Sequence, residues 1–131
     1  MKQQTILWFR VDLRLSDNPA LKKAIDLNLP VLPIFIYDEE DAQNRSLGAA
    51  SKWWLHKSLE NLSNELELVG SKLLIFRGKA EEVLQKIIDN TKATNVLWNR
   101  RYEPWAVKRD KLIKEKLSAQ SINVMSFNGS L

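Results

Sequence analysis

Residues 6–21 read Ile6-Leu7-Trp8-Phe9-Arg10-Val11-Asp12-Leu13-Arg14-Leu15-Ser16-Asp17-Asn18-Pro19-Ala20-Leu21, and this stretch decides the fold. Its opening apolar run is typical of a strand buried on both faces. Either Asp17 or Asn18 can then cap a helix in which Pro19 takes the first position, because a side-chain oxygen accepts from the unpaired amides and proline has no amide to leave unpaired. The sequence therefore predicts a strand followed, after a charged turn, by a helix.

The same alternation of a short apolar run and a helical pattern continues along the chain. The predicted strands are 5–10, 31–37, 73–76, 95–98 and 122–127, and four helices lie between them. Repeated strand-helix-strand units require right-handed crossovers and a parallel sheet. We therefore predict one doubly wound, Rossmann-like α/β domain over residues 1–131, with strand order 3-2-1-4-5 and helices on both faces.

Apolar spacing orients three of the helices. The second, 49–68, has a stripe of Leu55, Leu59, Leu62 and Leu66 ended by Gly70; the third turns Val83, Leu84, Ile87 and Ile88 inward; and the fourth, from Pro104, turns Ala106, Ile113 and Leu117 inward. Asp110 falls on the same face of the fourth helix, where an unpaired carboxylate is costly. We expect Asp110 to form an ion pair with Arg10 or Arg100.

Composition narrows the classes of function. The chain of 131 residues has 44% hydrophobic and 27% charged residues, no cysteine, one histidine and a net charge of +4. It therefore has no disulfide, no thiolate metal site and no nucleophilic cysteine or histidine triad, and no apolar run approaches the roughly 20 residues of a membrane span. We expect a cytoplasmic protein with a solvated, mildly basic surface, no metal and no catalytic residue in this chain.

A ligand site is predicted at the carboxyl ends of strands 1 and 4, where the strand order reverses. The four glycines are scattered, so a phosphate-cradling loop is excluded and side chains must hold the ligand. The candidate binding residues are Arg10, Asp12, Leu13, Arg14, Asp38, Asn99, Arg100, Arg101 and Glu103. Alternatively, these charges satisfy one another and brace the two loops. Arg10 best fits that structural role, and Arg101 and Glu103 are expected to remain available to a ligand.

Several segments carry a resemblance to a known family. They are residues 6–21, residues 47–59, the run Trp98-Asn99-Arg100-Arg101-Tyr102-Glu103-Pro104-Trp105 with its continuation to Asp110, and residues 127–131. Together they resemble the N-terminal α/β domain of the DNA photolyase and cryptochrome family. The resemblance implies the light-harvesting domain of a deoxyribodipyrimidine photolyase, with a helical FAD domain beyond Leu131 that binds UV-damaged DNA and splits cyclobutane pyrimidine dimers. Alternatives are a cryptochrome photoreceptor or a freestanding nucleotide-binding module.

The resemblance also implies an antenna chromophore: methenyltetrahydrofolate, a deazaflavin or FMN. Arg101 stands where deazaflavin-binding relatives tend to have an acid, although Asp12 and Glu103 match their pattern, and Trp105-Ala106 replaces the Asn-Glu pair of folate-binding relatives. The chromophore therefore stays open. Trp8 and Trp98 are interpreted as core residues, and one of Trp53 and Trp54 is expected to meet the second domain or a chromophore, because adjacent helical residues point about 100° apart.

Overall fold

A computed structural model describes residues 4–10, 13–38 and 49–128. Its elements are β1 (Thr5–Phe9), α1 (Pro19–Asp26), β2 (Val31–Tyr37), α2 (Ala49–Leu68), β3 (Leu74–Arg77), α3 (Ala80–Thr91), β4 (Asn95–Asn99), α4 (Pro104–Ser118) and β5 (Asn123–Phe127). All strand pairs are parallel, and the order is β3-β2-β1-β4-β5. The predicted doubly wound sheet and its strand order are confirmed.

The strands are apolar throughout because each face of the sheet has its own core. On one face, alternate strand residues pack with α3 and α4 in a cluster that includes Ile6, Trp8, Ile34, Val96, Trp98, Leu84, Ile87, Ile113 and Leu117. On the other face, the residues between them pack with α1 and α2 in a cluster that includes Leu7, Phe9, Phe35, Leu97, Ala20, Ala24, Leu59, Leu62 and Leu66. The inward faces predicted for the helices are confirmed.

Local signals fixed the element ends to within one residue. Asn18 is the N-cap of α1, and its Oδ1 accepts from the amide of Leu21 at 3.0 Å, as the Asn-Pro start predicts. β3 differs slightly from the apolar run 73–76, because Arg77 pairs with Tyr37 in the ladder while Leu73 precedes it. Backbone hydrogen bonds set that boundary, and they do not depend on the polarity of the Arg77 side chain. Within the described ranges, no helix is long and apolar enough to cross a membrane.

Candidate functional site

The carboxyl edge of the sheet contains a cluster of stacked arginine and tryptophan side chains. Trp8 of β1 and Trp98 of β4 meet edge to face, with ring centroids 5.4 Å apart. The Arg10 guanidinium lies 4.5 Å from the Trp8 ring centroid and 5.9 Å from that of Trp98, and its side chain is 1% exposed. Because side chains alternate along a strand, Arg10 projects toward the same α3 and α4 side as Trp8.

Asp110 of α4 provides the carboxylate for this buried guanidinium. Arg10 donates from Nη2 to Asp110 Oδ2 at 2.7 Å, and Arg109 donates from Nε to Oδ1 at 3.2 Å. Burial lowers the pKa of Arg10 to about 10; Asp110 opposes that shift, and the nearby charges of Arg109 and Arg101 add to it. The guanidinium therefore stays charged at neutral pH. The predicted ion pair of Asp110 is confirmed with Arg10, not with Arg100.

Asp38 links the end of β2 to two helices. This buried carboxylate accepts from Arg109 Nη1 at 3.1 Å and from the backbone amide of Ala80 at 3.3 Å. Lys79, the N-cap residue of α3, makes no side-chain cap bond, so Asp38 satisfies a first-turn amide from a distant part of the chain. An anionic oxygen at a helix N-terminus is favourable because the helix dipole is positive there. Asp38 thus lies at the predicted edge of the switch point and is occupied in structural bonds.

Arg101 and Glu103 bind each other. Arg101 donates from Nη2 to Glu103 Oε2, and its guanidinium lies 4.8 Å from the Trp105 ring centroid. The hydrogen bond from Arg101 lowers the pKa of Glu103, against the effect of burial. Their availability to a ligand stays a prediction. Each is already held by a protein partner.

Sequence reasoning missed Arg109, which connects the parts of this cluster. Its guanidinium lies 5.2 Å from the Trp8 ring centroid and 4.9 Å from that of Trp105. The spacing of four residues between Trp105 and Arg109 puts them on one helix face, and that signal could have found it. We call the whole set the arginine–tryptophan cluster: Trp8, Arg10, Asp38, Trp98, Arg101, Glu103, Trp105, Arg109 and Asp110. Its three guanidinium groups and three carboxylates balance in charge.

A second, uncharged network joins the end of β4 to the start of α1. Asn99 donates from Nδ2 to Asn18 Oδ1 at 2.7 Å and accepts from the Ala20 amide at 3.0 Å. Asn18 in turn donates to the backbone oxygen of Arg14 at 3.0 Å. These amide contacts fix the loop after β1 to β4, so the two loops predicted to form a crevice are bonded together on the α1 side.

The remaining predicted site residues lie apart from the cluster. Leu13 packs against the α1 and α2 core, and Arg14 donates from Nε to the backbone oxygen of Ser16 at 3.0 Å. Asp12 lies outside the described residues. The structure therefore brings Arg10, Asp38, Arg101 and Glu103 together. It places Leu13 and Asn99 on the α1 side of the sheet and Arg14 in the turn before α1.

The side chain of Arg100, directly after β4, bonds to residues at the end of β5. It donates from Nε to Ser126 Oγ and from Nη1 to Asn128 Oδ1, both at 3.0 Å, and Tyr102 donates from its hydroxyl to the same Asn128 oxygen at 3.2 Å. Asn128 also lines a groove of about 720 Å³ along α1, whose other lining residues are Leu15, Asp17, Asn18, Pro19, Leu21, Lys22 and Ile25.

A candidate metal site is absent from the described parts of the chain. No group of three or more His, Cys, Asp or Glu side chains among them could hold a metal ion. His56 lies on the surface with its side chain 80% exposed. Trp53 and Trp54 are 64% and 63% exposed, so neither enters the core, and the expectation that one of them meets the second domain or a chromophore stays a prediction.

Known proteins are similar to this chain in sequence and in fold. A family model described as DNA photolyase matches residues 5–131. A deoxyribodipyrimidine photo-lyase of Agrobacterium fabrum is 45% identical over 96% of this chain, and Cryptochrome-2 of Arabidopsis thaliana is 41% identical over 100% of it. The chain spans 26% and 21% of these two relatives, respectively.

Solved structures give the same result. A bacterial class III photolyase from Agrobacterium tumefaciens superimposes with a TM-score of 0.91 at 43% identity, covering 98% of this chain and 26% of that one. An archaeal photolyase from Sulfolobus tokodaii, crystallised with two FAD molecules, gives a TM-score of 0.87 at 30% identity over 96% of this chain and 29% of its own. The sequence motifs, the strand order and these matches agree, and the chain belongs to the DNA photolyase family.

Proposed function

We propose that this chain is the light-harvesting domain of a deoxyribodipyrimidine photolyase. The observation that carries the proposal is the 45% identity to a deoxyribodipyrimidine photo-lyase along 96% of the chain. The TM-score of 0.91 against a class III photolyase supports it, because the likeness extends to the whole sheet and its helices. Repair itself is assigned to a helical, FAD-binding partner domain that engages UV-damaged DNA, since the chain spans about a quarter of these relatives.

The carboxyl edge fits a bound antenna chromophore. Methenyltetrahydrofolate, a deazaflavin and a flavin are the candidates, and the two FAD molecules in the archaeal photolyase support the flavin class. Such a chromophore supplies absorption of near-UV or blue light. The groove of about 720 Å³ lies within the range of roughly 300–1,000 Å³ of small-molecule sites.

The protein's part in this function is to hold the chromophore at a fixed place and to exclude water around it. The bonds of Asn99 to Asn18 and Ala20 fix the loop after β1 to β4, so the wall of the site is rigid. The arginine–tryptophan cluster fixes the N-terminal half of α4 to β1 and β2 through Asp110 and Arg109. A rigid frame keeps donor and acceptor chromophores at constant distance and orientation, as energy transfer requires.

A cryptochrome photoreceptor is the second candidate. It is favoured by the 41% identity to Cryptochrome-2 over the full chain, close to the value for the photo-lyase. The two functions share the antenna domain and differ in what the flavin domain does. Blue-light repair of dimer-containing DNA by the complete polypeptide that carries this chain would decide for the photolyase, and its absence in a flavin-loaded protein would decide for the photoreceptor.

A chimaera tests the antenna role directly. This chain would replace the matching N-terminal quarter of the Agrobacterium fabrum photo-lyase, and repair of thymine dimers would be measured at several wavelengths with methenyltetrahydrofolate, a deazaflavin or FMN added. We expect repair, with a higher rate in the absorption band of one added chromophore. The chain alone should give no repair. A folded, FAD-loaded chimaera whose action spectrum ignores all three chromophores would refute the antenna role.

A further inference from the structure

Helix α4 carries most of the net positive charge of the chain. Its sequence has five basic and two acidic residues, so it accounts for three of the four net positive charges. The two other long helices are acidic: α2 has two lysines and three glutamates, and α3 has one lysine and three acids. The positive charge is therefore concentrated on one element of the fold.

The acids of α4 do little to compensate this charge. Asp110 is turned inward, where its carboxylate accepts from Arg10 and Arg109 and its side chain is only 12% exposed. Of the two acids on α4, all of whose residues the structure describes, Glu115 alone is exposed. The outward side of the helix therefore keeps an excess of positive charge.

Three exposed lysines form a row on this outward side. Lys108, Lys111 and Lys114 follow one another at intervals of three residues, so they span about 9 Å along the helix axis and an arc of about 120° around it. Within the described ranges, none of the three forms an ion pair. Buried ion pairs of the arginine–tryptophan cluster hold α4 against the sheet, so this lysine row has a fixed place on the domain.

The spacing of the lysine row suits the backbone of double-stranded DNA. Each strand of a duplex presents one phosphate per 3.4 Å of its axis, so a row of about 9 Å faces about three phosphates. A lysine ammonium is a point charge on a flexible stem, and it can reach a phosphate oxygen without a fixed orientation. Contacts of this kind do not depend on base sequence, because they involve only the backbone.

We propose that the lysine row of α4 binds the phosphate backbone of double-stranded DNA, as a sequence-independent contact separate from that of the FAD domain. The proposal rests on the proposed function for the choice of DNA as the polyanion. It goes beyond that function by giving this chain a DNA contact of its own. Because the two domains belong to one polypeptide, even a weak contact on α4 would raise the affinity of the whole protein for DNA.

An anionic membrane surface is the other polyanion that a lysine row could meet. A helix that lies in a membrane surface inserts a continuous apolar face beside its cations. In α4 that face is occupied, since Ile113 and Leu117 pack in the core of the domain. The exposed apolar residues Val107 and Leu112 are 50% and 47% exposed and lie about 140° apart around the helix, so they do not form a common face. The arrangement therefore favours DNA.

Fluorescence anisotropy of a short, labelled, undamaged duplex, titrated with the full chain at several salt concentrations, tests the contact. Three phosphate contacts predict a slope of the logarithm of the binding constant against the logarithm of salt concentration of about −2.7, so affinity should fall about 500-fold for a tenfold rise in salt. Each of Lys108→Gln, Lys111→Gln and Lys114→Gln should reduce the magnitude of the slope by about 0.9. Lys111→Arg, which keeps the charge, should retain the slope.

The matched control is Lys57→Gln, which removes an exposed lysine from α2 on the opposite face of the sheet and should leave the slope unchanged. An unchanged slope after replacement of the whole lysine row by glutamine would overturn the proposal, and so would absence of DNA binding at about 50 mM salt. Binding to phosphatidylserine vesicles without binding to DNA would identify a membrane as the partner and also overturn it. None of these outcomes touches the antenna role, because the chimaera's action spectrum tests that role separately and should persist when the lysine row is replaced.

Discussion

Replacing Asp110 with alanine should destabilise the domain strongly. Asp110 receives hydrogen bonds from Arg10 at 2.7 Å and from Arg109 at 3.2 Å, and the Arg10 side chain is 1% exposed. Removing one member of a buried pair costs about 3–5 kcal/mol, because the remaining charge is left in a poorly hydrated site. Arg109 keeps Asp38, and the Trp8 ring continues to stabilise Arg10, so we expect a loss near the lower bound, about 3 kcal/mol.

The assay is urea unfolding followed by circular dichroism. The free energies of unfolding of variant and wild type are compared with one shared m value, the dependence of that free energy on urea concentration. Glu81→Ala is the matched control, because Glu81 pairs with Lys116 on the surface of the neighbouring helices. An exposed pair contributes roughly 0–1 kcal/mol, so the control should change little. A loss below about 1 kcal/mol in Asp110→Ala would refute the reasoning, since it would mean that water or another group already neutralises Arg10.

The pH dependence gives an independent check on the same residue. In the wild type, burial lowers the pKa of Arg10 to about 10, and Asp110 opposes that shift. Without Asp110 the folded-state pKa falls further, so as the pH rises toward 10 the unfolded chain binds more protons at this site than the folded variant does. Stability rises with pH wherever the unfolded state binds more protons. The deficit of Asp110→Ala relative to the wild type should therefore shrink as the pH rises, and a constant deficit would contradict a buried charge.

Three further predictions concern the other contacts at this edge and on α2. Glu103→Gln should cost about 1 kcal/mol or less at pH 7, because the carboxylate is 37% exposed, and the cost should disappear as the pH falls through its lowered pKa, measured by urea unfolding at several pH values. Asn99→Ala should lower stability by about 1–3 kcal/mol, since the Ala20 amide loses a buried acceptor, and a double-mutant cycle with Asn18→Ala should show coupling. Replacing Trp53 and Trp54 with serine should change stability by less than about 0.5 kcal/mol each, because both are exposed, and unfolding midpoints would check this.

The sequence predicted the fold well because its signals are local. Apolar runs, the Asn18-Pro19 start and the leucine stripe of α2 each act over a few residues, and the crossover rule then leaves few strand orders. The ion pair of Asp110 was also predictable, because helix periodicity placed a carboxylate against the core. Features that depend only on residue spacing and burial can therefore be predicted from the sequence.

Side-chain partners in the loop after β4 could not be predicted in the same way. Arg100 and Arg101 are neighbours with the same chemistry, and yet one binds Ser126 and Asn128 while the other binds Glu103 and stacks on Trp105. The backbone amide of Arg100 donates to Phe127 at 2.8 Å, which continues the β4 to β5 ladder and holds this residue beside β5. That choice depends on where the ladder ends, which no local pattern encodes.

Whether a charged residue at the carboxyl edge can bind a ligand therefore depends on its bonding partners and not on how many charges lie there. Three guanidinium groups there are balanced by Asp38, Glu103 and Asp110, and their planar faces lie on tryptophan rings. A ligand that displaced Asp38 or Asp110 from its guanidinium would release a carboxylate in a buried site, which costs more than a single new bond returns. By this reasoning the cluster makes the edge rigid, because its buried charges are already compensated within the protein.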